Sequence, residues 1–113
     1  QASDAERRGD RAGALKKLEE TRRVGSHVVF ALINTAAFYS AINENALSEE
    51  TLLQVLKFQP KNLEVHLNLG ILYGKIGRYP ESLDELRRTL ELDPRHPLAL
   101  YYLSLVQNIV NRR

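Results

Sequence analysis

The chain has 113 residues, with 43% hydrophobic and 27% charged side chains, which is the balance of one soluble globular domain rather than of a disordered segment. No apolar run approaches the ~20 residues needed to cross a bilayer, and the polar first ten residues show no signal peptide. The sequence leaves the compartment unknown, with the cytoplasm as the default expectation. The absence of cysteine excludes disulfides and thiol chemistry, and a net charge of only +2, spread over interleaved basic and acidic residues, argues against a nucleic-acid partner.

Seven helices are predicted from apolar spacing and from the residues that start and stop helices. Ser48 precedes acidic residues and is therefore predicted to be the N-cap of a helix. Gly77 is predicted to adopt the left-handed conformation that often follows the end of a helix. Pro80 and Pro97 suit the first turn of a helix, and Pro94 ends the preceding one, because the residue before a proline is pushed out of the α region. In chain order the predicted helices cover 2–8, 11–23, 27–42, 48–58, 63–76, 80–92 and 97–111.

The pattern of helix starts and stops recurs after 34 residues, which is the distance in sequence between Pro60 and Pro94. A unit that begins at Leu63 has His66, Leu69, Gly70, Tyr73, Ser82, Leu86 and Pro94 at its positions 4, 7, 8, 11, 20, 24 and 32. One unit earlier the same positions hold Leu32, Thr35, Ala36, Tyr39, Ser48, Leu52 and Pro60, and a partial unit before that places Gly9, Ala14 and Leu18 at positions 15, 20 and 24. We expect the small residues at positions 8 and 20 to let the two helices of a unit cross closely.

This pattern, H-x2-L-G-x2-Y…S-x3-L…P, resembles the tetratricopeptide repeat. The resemblance implies an all-α, right-handed solenoid of stacked antiparallel helix pairs, with about seven helices in a single domain over 1–113. The units would be a truncated repeat over 1–26, complete repeats over 29–62 and 63–96, and a C-terminal capping or partial-repeat helix over 97–113.

Catalytic and metal chemistry find no support in the sequence. The three histidines, His27, His66 and His96, lack the i, i+4 spacing of a helical metal site, and no strand–turn–helix elbow frames a serine. His66 falls on the seam between helices and is expected to be a buried packing residue, whereas His96 precedes Pro97 and is expected to cap a helix. We therefore predict no enzyme activity and no cofactor.

What the resemblance implies instead is a binding surface, because the first helix of each tetratricopeptide unit lines a concave groove. Carried over position by position, the groove is lined by Phe30, Ile33, Asn34, Ala37, Glu64, Leu67, Asn68, Ile71, Lys75, Tyr101 and Tyr102, with Leu98 and Leu105 also on the last helix. Asn34 and Asn68 share position 6, where an amide offers both a donor and an acceptor to a peptide backbone. A mainly apolar lining with Lys75 as its cation predicts an apolar peptide rather than an acidic C-terminal tail.

The expected partner is therefore a protein or peptide, bound as an extended or helical apolar segment. The last helix is apolar on two sides, which predicts that something covers the second side and suggests a homodimer through this helix. A self-assembling scaffold and a regulatory domain of a larger enzyme are the alternatives. A pentatricopeptide RNA reader is disfavoured by the 34-residue interval and the mixed charge.

Overall fold

The computed structural model describes residues 27–112, which form five α-helices and no strand. They are α1 (His27–Ala41), α2 (Asn45–Leu56), α3 (Leu63–Lys75), α4 (Tyr79–Leu92) and α5 (Pro97–Asn111). The five helices predicted in this part of the chain are confirmed, with ends that differ by up to three residues. The helices predicted over 2–8 and 11–23 lie outside the described residues.

The N-cap predicted at Ser48 is wrong. The helix begins three residues earlier, at Asn45, and Ser48 lies within it and is buried. Its hydroxyl donates to the backbone carbonyl of Ala36 on α1 at 2.8 Å, and Ser82 on α4 donates in the same way to the carbonyl of Gly70 on α3 at 2.6 Å. In both complete units the serine at position 20 therefore hydrogen-bonds the second helix to the first. This role depends on a contact between helices and not on the local sequence.

The turn inside each unit is also repeated. Gly77 has a φ of 86°, which confirms its predicted left-handed conformation, and Asn43, one repeat earlier, has a φ of 65°. In both turns the next residue's N–H donates to the carbonyl five residues back, Glu44 to Tyr39 and Arg78 to Tyr73, each at 2.8 Å. These bonds form a Schellman-type helix end, for which asparagine is the usual alternative to glycine.

The starts of α3 and α5 are capped by side chains. The side chain of Asn62 accepts a bond from the Val65 N–H at 3.0 Å, and His96 accepts one from the Ala99 N–H at 3.3 Å, which confirms the capping role predicted for His96. Pro80 and Pro97 lie in the first turns of α4 and α5, as expected. Each prevents no intrahelical bond, because the N–H groups of a first turn have no partner within the helix.

Two helical hairpins, α1–α2 and α3–α4, pack side by side, and α5 packs against α4 and α3. One apolar cluster joins the two hairpins through residues such as Leu52, Val55, Val65 and Leu69. A second cluster joins α3, α4 and α5, and its members are Leu67, Leu86, Ala99 and Val106. The first hairpin thus buries an apolar side against the second, and the second buries another against α5.

Candidate peptide-binding groove

The first helices of successive units, α1, α3 and α5, lie next to one another, since α1 contacts α3 and α3 contacts α5. The side chains predicted to line a groove fall on these three helices with unequal exposure. Exposed are Phe30, Asn34, Ala37, Glu64, Lys75 and Tyr101; half-buried are Asn68, Ile71 and Tyr102; buried are Ile33 and Leu67.

Ile33 and Leu67 therefore offer a ligand almost no surface. They are 6% and 3% exposed, and each packs in the cluster that joins its helix to the following repeat. Tyr101 occupies the same position on α5 and is 60% exposed, because no further first helix packs over it within the described part of the chain. The side chain at position 5 thus packs against the next repeat wherever another repeat follows.

Asn34 and Asn68 keep their amides available. Asn34 is exposed and Asn68 is half-buried, and within residues 27–112 neither side chain makes a hydrogen bond. Both stand at position 6, one repeat apart, on adjacent helices. Next to them, position 9 presents a column of apolar side chains, Ala37, Ile71 and Leu105. The surface therefore combines unbonded amides with apolar contacts.

Lys75, the cation that the sequence places in the groove, is engaged by the protein itself. Its Nζ donates to the backbone carbonyl of Ser40 and, at 3.3 Å, to the Ser40 hydroxyl. Ser40 lies in the last turn of α1, which has no basic residue of its own, so the ammonium stabilises the negative end of that helix. A ligand carboxylate would have to displace this contact.

Aromatic side chains cover the α5 end of the surface. Tyr101 and Tyr102 pack edge to face, with ring centroids 5.1 Å apart and an interplanar angle of 79°. Tyr102 also packs against the second core cluster, so it is half-buried while Tyr101 is open to solvent. An exposed tyrosine held by a fixed neighbour offers a large contact area at a low entropy cost.

His66 is buried, as predicted, and the structure adds a partner that the sequence did not indicate. Its Nδ1 lies 2.6 Å from Oε1 of Glu85 on α4, and its Nε2 lies 2.7 Å from the Pro60 carbonyl. Glu85 is itself buried and also accepts from Arg88 at 3.1 Å. A ring with a proton on each nitrogen can donate to both acceptors. The pair joins α3 to α4 and to the preceding loop, away from the first-helix surface.

A second polar cluster joins the two complete repeats. The Tyr73 hydroxyl donates to Oε2 of Glu49 at 2.7 Å, and the Arg78 guanidinium lies 4.5 Å from the centroid of the Tyr73 ring and 3.4 Å from the Glu49 carboxylate. Burial, followed by the bond to Glu49, raises the pKa of the Tyr73 hydroxyl above its usual range. This tyrosine therefore stays protonated throughout the physiological range and acts as a structural donor.

Residues 27–112 contain neither a metal-binding cluster nor a membrane-spanning helix. No group of three or more histidine, aspartate or glutamate side chains is placed to hold a metal ion there. No helix of this part of the chain has the length and apolar character needed to cross a membrane.

The geometry defines a helical-repeat protein in which two hairpins share the same turn and the same serine hydrogen bond between their helices. No family model matches the chain. It is 33% identical to the anaphase-promoting complex subunit CDC16 of Saccharomyces cerevisiae over 72 residues, which cover 64% of this chain and 9% of that protein. It is 30% identical to the anaphase-promoting complex subunit 3 of Dictyostelium discoideum over 80 residues, which cover 71% of this chain and 8% of that protein.

Both relatives are tetratricopeptide-repeat proteins, and the five described helices of this chain are consistent with a fold of that type, in agreement with the resemblance seen in its sequence. It spans about a tenth of the length of the relatives it matches.

Proposed function

We propose that this chain is a protein-interaction module that binds an apolar peptide segment, extended or helical, in a groove lined by α1, α3 and α5. The proposed units are a truncated repeat over 1–26, complete repeats over 29–62 and 63–96, and a C-terminal capping or partial-repeat helix over 97–113. Together they form a right-handed solenoid of about seven helices in one domain.

The observation that carries this proposal is the pair of unbonded amides beside an apolar column. Asn34 and Asn68 have the donors and acceptors that a peptide backbone needs, and they stand on neighbouring helices. Ala37, Ile71 and Leu105 run beside them as a column of aliphatic side chains. This arrangement supports a ligand that places its backbone on the amides and its apolar side chains on the column.

The few charges on this surface limit the charge of the peptide that it can bind. Glu64 and Lys75 are the charged residues among the predicted lining, and Lys75 already stabilises the end of α1. A strongly acidic segment would meet one engaged cation, and a strongly basic one would meet one exposed carboxylate. The surface therefore favours a ligand without concentrated charge.

The names of the two relatives support the same class of function. Each is named as a subunit of the anaphase-promoting complex, which is a multi-protein assembly. We propose that this chain likewise serves as a scaffold between proteins and carries out no reaction itself. A regulatory domain within a larger enzyme would use the same surface, with its target in the same polypeptide.

Selection from a displayed library of random 16-residue peptides, followed by fluorescence anisotropy with the enriched peptides, tests the groove. Loss of two backbone hydrogen bonds, at about 0.5–1.5 kcal/mol each, should weaken binding by Asn34→Ala/Asn68→Ala roughly tenfold. Asn111→Ala is the matched control, because Asn111 is an exposed amide at the far end of α5. Equal affinities for the wild type and the double variant, or a selection that enriches no peptide, would contradict the proposal.

A homodimer through α5 is the second candidate, because this helix keeps large apolar side chains exposed on two sides. Leu98 and Leu105 are exposed beside the groove, and Leu100 and Val110 are exposed on the opposite side. Val106 has the helical spacing of that opposite side but is buried in the core, so Val106→Glu would test folding and not association.

Sedimentation velocity at tens of micromolar tests association through α5. A dimer that Leu100→Glu dissociates would support it, whereas a monomeric wild type would refute it. Leu53→Glu is a suitable control, since Leu53 is similarly exposed on α2.

A further inference from the structure

A cavity of about 410 Å³ opens between the loop before α3 and the C-terminal half of α4, and no residue of the predicted groove lines it. Its lining combines charged and apolar residues of the loop, α3 and α4, namely Pro60, Lys61, His66, Arg88, Glu91 and Leu92. This volume lies within the range of pockets that enclose a small ligand or a few side chains of a partner. We call this space the α3–α4 cavity.

The ionisable residues around the α3–α4 cavity depart from the repeat. His66, Glu85 and Arg88 stand at positions 4, 23 and 26 of their unit. The preceding unit has neutral residues at the same positions, namely Leu32, Thr51 and Gln54. Both units form the same hairpin with the same turn and the same serine hydrogen bond, so the fold does not require charged groups here. Because a buried ion pair is weak support for stability, and ionisable clusters in a cleft often serve binding, this cluster is a candidate second site.

Arg88 is held in place at the cavity and still has donors for a ligand. Its Nη1 lies 3.1 Å from Oε2 of Glu85, and Oε1 of Glu85 lies 2.6 Å from Nδ1 of His66, so the protein itself uses both carboxylate oxygens. The Arg88 side chain is nevertheless 55% exposed, and its other N–H groups make no hydrogen bond within residues 27–112. A guanidinium that is already oriented can bind a carboxylate through two parallel hydrogen bonds.

The other lining residues restrict the group that fits. Within residues 27–112 neither the Lys61 nor the Glu91 side chain has a hydrogen-bond or ion-pair partner, so both are available to a ligand. Lys61 adds a second cation to the lining, whereas the Glu91 carboxylate can accept a backbone N–H and repels a free anion. Pro60 and Leu92 are exposed and supply apolar contacts.

We propose that the α3–α4 cavity binds an acidic side chain, aspartate or glutamate, of a protein partner. The carboxylate binds to Arg88 and Lys61, the backbone N–H of the acidic residue donates to Glu91, and an apolar neighbour in the partner packs on Leu92. This surface differs from the groove, which favours a ligand without concentrated charge. The inference depends on the cavity alone and does not require that the groove binds a peptide.

Titration of the nitrogen-15-labelled full chain with the tripeptide acetyl-Leu-Glu-Leu-amide, followed by two-dimensional NMR, tests the proposal. The glutamate of this probe has leucine on both sides, so an apolar neighbour is present in either chain direction. Saturable shifts should appear at Lys61, His66 and Arg88 in the millimolar range, which is the affinity expected from a few charge-assisted hydrogen bonds. The matched probe acetyl-Leu-Gln-Leu-amide, which lacks the carboxylate, should cause no saturable shift.

Arg88→Gln should weaken binding of the glutamate probe roughly tenfold, because the guanidinium is lost. This variant should remain folded, since Gln54 stands at the same position of the preceding repeat. Lys61→Gln breaks no side-chain contact within residues 27–112 and should weaken binding roughly threefold. Arg87→Gln is the matched control, because it removes the same charge from an exposed neighbour outside the lining and should bind as the wild type does.

Absence of saturable shifts in the wild type, or equal binding by the wild type, Arg88→Gln and Lys61→Gln, would overturn the proposal. So would inorganic phosphate that causes the same shifts at the same concentration, because the cavity would then hold any anion. The signals of Asn34 and Asn68 report on the groove separately, so a negative result here leaves the proposed function untouched.

Discussion

Gly70 is the point where α3 crosses α4, and replacing it with leucine should destabilise the protein strongly. A Cβ added at Gly70 would lie 2.7 Å from both Cγ and Cδ2 of Leu86 and 3.3 Å from the Leu86 backbone nitrogen. Leu86 is fully buried, and the backbone of α4 is held to α3 by the bond from Ser82 to the Gly70 carbonyl, so neither can easily move away. The first atom of any side chain thus already overlaps the neighbouring helix.

The expected magnitude combines two opposing effects. Overpacking a core costs about 1–3 kcal/mol, and a whole leucine side chain belongs at or above the upper end of that range. The better helix propensity of leucine returns about 0.8 kcal/mol. The net loss in the free energy of unfolding is therefore about 2 kcal/mol or more, which lowers the melting temperature by about 10 °C in a domain of this size.

Thermal unfolding followed by circular dichroism measures this loss. Gly74→Ala is the control, because its added Cβ would lie 3.2 Å from the Ser82 hydroxyl and 3.4 Å from Val106, so that a small adjustment and the gain in helix propensity nearly cancel. A melting temperature of Gly70→Leu equal to that of the wild type would show that α3 and α4 do not cross at this residue.

Three further predictions concern the repeated contacts and the titration of a buried tyrosine. Ser82→Ala and Ser48→Ala should each lower the free energy of unfolding in urea by about 1 kcal/mol, since each loses one buried hydrogen bond to a carbonyl of the first helix; a large difference between the two would show that the repeats do not share this contact. Gly77→Ala should lower the free energy of unfolding by about 1 kcal/mol, because it places a Cβ at a position with positive φ. Asn43→Gly should leave that free energy unchanged or raise it, because it removes the Cβ from a position with positive φ. A stabilising Gly77→Ala would contradict the backbone geometry. The raised pKa of Tyr73 gives stability that is fully present below about pH 10, where an unfolded tyrosine titrates, and is lost progressively above it. The free energy of unfolding should therefore fall more between pH 9 and pH 11 in the wild type than in Tyr73→Phe, and equal slopes would refute the assignment.

Much of the described fold could be predicted because its signals are local. Pro94 and Pro97 stop and start helices through their own covalent geometry, and Gly77 takes a conformation that other residues rarely adopt. The 34-residue interval then indicated that the same hairpin occurs twice. Asn43 occupies the same turn as Gly77 and could have been recognised by the same interval, since asparagine also tolerates positive φ.

The misjudged residues are those whose role depends on a neighbouring helix. Ser48 has the sequence context of an N-cap, but its hydroxyl bonds to a carbonyl twelve residues earlier. Val106 has the spacing of an exposed face, yet α4 covers it. Ile33 and Leu67 match groove positions, yet the following repeat covers them. No periodicity within one helix contains this information.

By itself the sequence determined the helices of residues 27–112, the length of the repeat and the small residues at which the helices of a pair cross. The helices follow from the backbone preferences of their residues, and the repeat length and crossing residues follow from the periodic pattern of the sequence. The tertiary structure decided which apolar residues are covered, that Glu85 pairs with His66, that Lys75 stabilises the end of α1, and that Phe38 remains exposed while its equivalents Leu72 and Val106 are buried. Each of these depends on which helix lies next to which: the His66–Glu85 pair forms between the two helices of one hairpin, and the contact of Lys75 forms between two hairpins.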